Sequence, residues 1–152
     1  RLAEALRVAD AKGLPRFTAM QPELNLIDRD QYEGALQQLC VAENIGVVPY
    51  YSLASGYLSG KYRSTDDLSK SPRGYKAKSY MAGGGPAALA VMDRIAVETG
   101  ATLSQIALAW VAAQPGVTAP IASATTVTQL DELLGSMALK LSVDHLAALS
   151  AA

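Results

Sequence analysis

The chain has 152 residues, half of them apolar, with a formal charge of −1. That length suffices for one domain with a buried core, and the near-neutral charge gives no electrostatic basis for nucleic-acid binding. No apolar run approaches the roughly 20 residues of a membrane span, and the single cysteine, Cys40, cannot form an intrachain disulfide, so a soluble protein of a reducing, cytoplasmic setting is expected.

Leu2, Leu6 and Ala9 share one helical face from the outset, so the chain is expected to open inside a helix whose upstream part lies outside it. Gly13 and Pro15 end that helix. Phe17 to Gln21 reads as a short strand that Pro22 should stop. A second helix is expected from about Asp30, capped by Asp28 or Asp30, through Tyr32, Leu36 and Leu39 to Asn44. Val47 to Tyr51 reads as a second, buried strand. It empties into small residues and then Lys61. Such a junction lets backbone N–H groups approach a phosphate while Lys61 supplies positive charge, although an ordinary turn has the same composition.

From Arg63 to Gly85 the chain carries Pro72, Gly74 and the run Gly83, Gly84, Gly85, with no sustained apolar period. A long lid-like or binding loop, or disorder, is expected there. Between Lys61 and Lys78 stand six basic residues against two acidic ones, in a chain otherwise acidic. That pattern suits a small polyanion, and equally a solvated loop.

Pro86 starts a helix that Gly100 stops. Thr102 with Gln105 makes a capping box for the next, whose apolar stripe is Leu103, Ile106, Ala107, Trp110 and Val111. A third strand is expected over Val117 to Ala122. Thr126 with Gln129 then makes another capping box, for a helix through Leu130, Leu133, Leu134 and Met137. A last helix from Ser142 carries Val143, Leu146 and Leu149. His145 on it is the only histidine, and no zinc-ligand spacing accompanies it, so a surface position is expected.

Strands alternating with helices over short links indicate an α/β protein with parallel pairing. An open doubly wound sheet and part of a (β/α)8 barrel both satisfy this order. No G-x-G-x-x-G follows the first strand, and the polar clusters 21–25, 52–61 and 123–129 all follow strand C-termini, which favours the C-terminal portion of a TIM barrel with about three parallel strands.

QPELNLIDR (Gln21 to Arg29), GVVPYYSLASGYLSGKY (Gly46 to Tyr62), LSQIALAWVAAQPGVTAPIASAT (Leu103 to Thr125) and the QLDE of Gln129 to Glu132 together resemble the C-terminal half of an aldo-keto reductase, over essentially residues 1–152. The resemblance implies a (β/α)8 barrel of which these strands are the sixth to eighth, NADP(H) as cofactor and an aldehyde or ketone as substrate. It implies that Gln21 bonds the nicotinamide carboxamide, that Tyr50 stacks on its ring with Tyr51 beside it, and that Ser52, Leu53, Ala54, Ser55, Gly56 and Lys61 hold the pyrophosphate. It further implies that Arg73 makes a lid contact, that Ser123 and Thr125 belong to the last loop, and that Gln129 and Glu132 address the adenosine end. Leu133 replaces an asparagine usual in the family, and Gln129 cannot neutralise a 2′-phosphate as arginine would.

The family's catalytic tyrosine, lysine, aspartate and histidine belong to the half expected before Arg1, and none of the seven tyrosines here has a matching context. No catalytic and no metal-binding residue is assigned. The chain alone is therefore expected to be inactive, a fragment that supplies cofactor binding. A non-catalytic nucleotide-binding or regulatory module, or a truncated remnant, stands as the alternative. Exposed sheet edges make self-association an expectation.

Overall fold

Two short parallel strands, β1 (Ala19–Met20) and β2 (Gly46–Val47), lie at the centre of the protein, in register Ala19 to Gly46 and Met20 to Val47. The computed structural model describes residues 1–71 and 74–152. Pairing extends beyond the regular strands. Pro22 was expected to stop it, yet its carbonyl accepts from the Tyr50 N–H at 3.0 Å and Glu23 pairs with Tyr50. Proline lacks only the donor, so a parallel partner that needs an acceptor is still satisfied.

The third strand is reduced to one bridge, Val117 with Val47. Thr118 and Ile121 still donate to the carbonyls of Val47 and Pro49, each at 2.8 Å. Pro120, without an N–H, interrupts a segment that has a neighbour on one side only among the described residues.

Helices cover one face. α1 (Leu2–Lys12) ends at Gly13, with φ 62°. α2 (Ala35–Ala42) begins five residues later than the apolar spacing suggests, because Gly34 holds φ 87° and breaks the helix; Tyr32 and Glu33 instead donate to the Arg29 carbonyl in a turn. The segment expected to lack structure is largely helical. It holds a 3₁₀ turn, Thr65–Lys70, and α3 (Gly74–Ala82) before α4 (Gly85–Thr99). The Asp67 carboxylate closes the Ser64 capping box, and its hydrogen bond from Lys70, then those from the Arg63 and Ser64 amides, hold its pKa well below the usual carboxylate range. Gly85 is obligatory, since a Cβ there would fall 2.5 Å from the Tyr57 ring and 2.4 Å from the Tyr80 carbonyl oxygen.

α5 (Leu103–Ala112) starts with the expected Thr102–Gln105 box, whereas at α6 (Val127–Leu134) Thr126 caps without the expected reciprocal bond, because the Gln129 side chain turns to Thr125. Ser142 caps α7 (Val143–Ser150) in a box completed by His145. His145 lies at the surface, as expected, with its Nε2 2.9 Å from Glu98 Oε2 on α4. Trp110, fully buried, donates from Nε1 to Ser150 Oγ at 3.0 Å. The Arg29 guanidinium lies 5.3 Å from the Trp110 ring centre and reaches the Ser150 carbonyl, which docks the last helix on the core. Cys40 is buried too, and burial pushes its thiol pKa up. No single helix among the described residues is long and apolar enough to cross a membrane.

Tyr32 is buried with its hydroxyl donating to the Pro115 carbonyl at 2.5 Å, and burial pushes its pKa from 10.0 up to about 12. Between those values the unfolded chain ionises Tyr32 while the folded one keeps it neutral, so its stabilising effect is complete below pH 10 and lost as pH rises toward 12. Tyr32→Phe is expected to cost about 1 kcal/mol at neutral pH. In urea titrations it should lose less stability than the parent between pH 10 and 12.

Candidate functional site

The offset between paired residues is constant from Ala19 with Gly46 through Glu23 with Tyr50, so no bulge intervenes. Side chains alternate along a strand, which places Gln21 on the same sheet face as Tyr50 and opposite Met20 and Val47. Val47 is wholly buried against the helices, whereas Gln21 is exposed and Tyr50 half-buried. An amide and an aromatic face thus share the open side of the sheet, at its C-terminal end. The Tyr51 ring lies edge-on to Tyr50, with centroids 5.0 Å apart.

From Tyr51 to Gly56 the backbone enters the left-handed region at four positions: Tyr51 (φ 55°), Ala54 (49°), Ser55 (56°) and Gly56 (90°). Three of them carry a Cβ, and such residues persist there only where the surroundings fix them. Asn25 supplies much of that restraint. Fully buried, it donates from Nδ2 to the Tyr51 carbonyl at 3.2 Å and to Asp28 Oδ2 at 3.1 Å, and its Oδ1 accepts from the amides of Ile27 and Asp28. Tyr80 on α3 donates to the same Asp28 oxygen at 2.7 Å; burial, then that carboxylate, pushes the Tyr80 pKa up. Lys76, also on α3, donates to the Tyr51 hydroxyl at 2.9 Å and lies 4.6 Å from its ring centre.

The resulting loop suits an anion. Among the described residues, the N–H groups of Ser52, Leu53 and Ser55 have no protein acceptor. Successive left-handed residues turn such groups toward one concavity. Lys61 folds back over it: a Cβ on Gly56 would come within 3.0 Å of both its Cε and its Nζ. No carboxylate among the described residues pairs with this ammonium, which lies 4.9 Å from the Tyr62 ring centre. The donor set, backbone amides beside an ammonium, therefore fits an anion such as a phosphate.

The remaining residues named from sequence divide. The Ser52 and Ala54 side chains are buried, and Ser52 Oγ donates to the Pro49 carbonyl, so both positions offer backbone only. Leu53 packs partly buried against the core. Ile121, bonded to Pro49, brings the following loop alongside, with Ser123 and Thr125 exposed. The Gln129 side-chain oxygen, Oε1, accepts from the Thr125 amide and hydroxyl, both at 2.9 Å. Glu132 accepts from the Thr102 hydroxyl at 2.8 Å. Arg73 lies outside the described residues. Asn25, Asp28, Lys76 and Tyr80 escaped the sequence reading because their partners are distant in the chain; only the short spacing of Asn25 and Asp28 hinted at a local turn.

Asn25→Ala removes the donor to Tyr51 and leaves two amides without their acceptor, so a loss of about 2–3 kcal/mol in urea unfolding is expected. Faster hydrogen exchange confined to residues 25–28 and 51–56 should accompany it; unchanged exchange there would show that the loop is held by other contacts.

The aldo/keto reductase family model matches residues 2–152. A protein of Arabidopsis thaliana named as a probable voltage-gated potassium channel subunit beta is 32% identical over 137 residues, 87% of this chain and 42% of that protein. The Schizosaccharomyces pombe aldo-keto reductase yakc [NADP(+)] is 30% identical over 76% of this chain and 35% of its own length. A thermostable aldo-keto reductase, Tm1743, crystallised with the inhibitor epalrestat, superposes with a TM-score of 0.64 at 23% identity, over 95% of this chain and 43% of that one. The chain thus spans less than half the length of these proteins, and its fold is that of a partial TIM barrel. It belongs to the aldo/keto reductase family.

Proposed function

We propose that this chain supplies the cofactor-binding part of an NADP(H)-dependent oxidoreductase that reduces aldehydes and ketones to alcohols. The observation that carries this reading is the left-handed run Ala54, Ser55, Gly56 with Lys61 folded over it, in a chain of this family. Ser52, Leu53, Ser55 and Lys61 would hold the pyrophosphate, Gln21 the carboxamide, and Tyr50 the nicotinamide ring by stacking. Ser123, Thr125, Gln129 and Glu132 would face the adenosine end, the last two keeping only what their internal hydrogen bonds leave free. The bound cofactor supplies hydride to a carbonyl carbon. NADP(H) over NAD(H) rests on the basic stretch from Lys61 to Lys78 and on the name of the Schizosaccharomyces pombe relative. The buried free thiol of Cys40 suits a cytoplasmic setting.

A second reading, a nucleotide-binding regulatory module without turnover, is favoured by the name of the Arabidopsis relative, a channel subunit. Calorimetry with NADPH and the carbonyl assay separate the two. The chain is expected to bind NADPH, and Lys61→Ala to weaken binding by about ten- to a hundredfold, the scale of one charge-assisted hydrogen bond. NADPH oxidation with an aromatic aldehyde is expected only after co-refolding with the N-terminal half of a matching barrel. Binding without turnover in that complex would favour the module, and equal affinity of the parent and Lys61→Ala would remove the pyrophosphate assignment.

The outer edges of β1 and of the Val117 segment have no strand neighbour among the described residues. Self-association through them is part of this reading. Light scattering should give a mass that rises with concentration; a constant monomer mass would contradict it.

A further inference from the structure

Glu23 is a titratable side chain at the strand ends with no part in the anion cradle. It pairs with Tyr50 across the parallel ladder: Tyr50 donates to the Pro22 carbonyl at 3.0 Å and Leu24 donates to the Tyr50 carbonyl at 3.3 Å, on either side of it. Paired residues of neighbouring strands stand about 4.8 Å apart and send their side chains to the same face. Burial follows the alternation, with Pro22 and Leu24 buried and Glu23 half-buried between them. The carboxylate therefore shares the open face of the sheet with Tyr50 and with Gln21, two residues before it.

Among the described residues its carboxylate receives one hydrogen bond, from Gln31 Nε2 at 3.3 Å, and joins no ion pair. Burial, then the Asp28 carboxylate, push its pKa up, and the Lys76 ammonium, which donates to the Tyr51 hydroxyl, opposes them. Glu23 is thus a carboxylate with incomplete solvation beside the ring assigned to stack on nicotinamide. The oxidised nicotinamide ring carries a positive charge and the reduced ring carries none, so only the oxidised form gains from a carboxylate nearby. The two forms are otherwise alike, and Lys61 with the cradle amides acts on both equally.

Resting on the cofactor assignment, we propose that Glu23 sets the redox preference of the site, its carboxylate favouring the oxidised, positively charged nicotinamide over the reduced, neutral one. Tighter binding of the oxidised form makes the bound reduced cofactor a stronger reductant, by about 30 mV for each tenfold difference in affinity, and so favours carbonyl reduction. Calorimetry with NADP⁺ and with NADPH on the 152-residue chain tests it. Glu23→Gln should weaken NADP⁺ relative to NADPH by about three- to tenfold, the scale of two partly screened unit charges one side chain apart. Glu23→Ala also removes the charge, so either variant suffices if circular dichroism shows the other unfolded. Glu23→Asp, which keeps the charge, should retain most of the parent's ratio, and Lys61→Ala should weaken both forms alike. An unchanged ratio in the charge-removing variants, or an equal change in Glu23→Asp, overturns the proposal while the cofactor reading stands; a parent chain that binds neither form overturns both.

Discussion

Val47 is the residue on which the architecture turns. Its N–H donates to the Gly116 carbonyl and its own carbonyl accepts from Thr118, while Gly46 and Val48, on either side, donate to Thr18 and Met20. Successive residues of one short strand therefore bind opposite neighbours. Parallel strands need long crossovers, so this pairing gathers three stretches separated by helices, and the fully buried Val47 side chain anchors them to the core. Everything that follows a strand C-terminus, the 21–25 turn, the 51–61 loop and the 122–126 loop, is delivered to one end of the sheet by it. Regular strand geometry is brief because prolines stand at 22, 49 and 120, each removing a donor, while the carbonyls of Pro22 and Pro49 still accept.

The loop after β2 pays for its shape with buried hydrogen bonds. Non-glycine residues at positive φ cost about 1–2 kcal/mol each, and three of them fall within five residues. The Asn25 amide, aimed at Tyr51, and the Asp28 carboxylate, shared by Asn25 and Tyr80, hold that conformation from the opposite side. α3 adds Lys76 across the Tyr51 hydroxyl. The segment from Thr65 to Ala82 is thus joined to the loop by directional contacts of specific side chains.

The short 3₁₀ segment has two sides. Toward the sheet end it presents backbone donors and a lysine; toward α4 it presents a buried phenol. Glycine makes both possible: Gly56 leaves room for Lys61, and Gly85 lets α4 approach Tyr57. A side chain at either position would crowd the group next to it.

The capping boxes at Thr102 and Ser142, the cap at Thr126, the glycine stop of α1 and the order of helices and strands were legible in the sequence, because each depends on residues within a turn of one another. The motif resemblance located the strand-end loops for the same reason: each motif is contiguous. The late start of α2 was not legible, since Gly34 reads as tolerable within a helix until its φ is known. Nor was the helix within 63–85, whose buried positions are the small residues Gly74 and Ala77 and so leave no apolar period to detect. Tertiary structure alone decided which polar residues do positional work. Asn25 and Tyr80 are 55 positions apart and meet at Asp28, and His145 meets Glu98 across 47. Local sequence carries backbone preference over a few residues, whereas these partnerships arise only once Val47 has drawn the strands together.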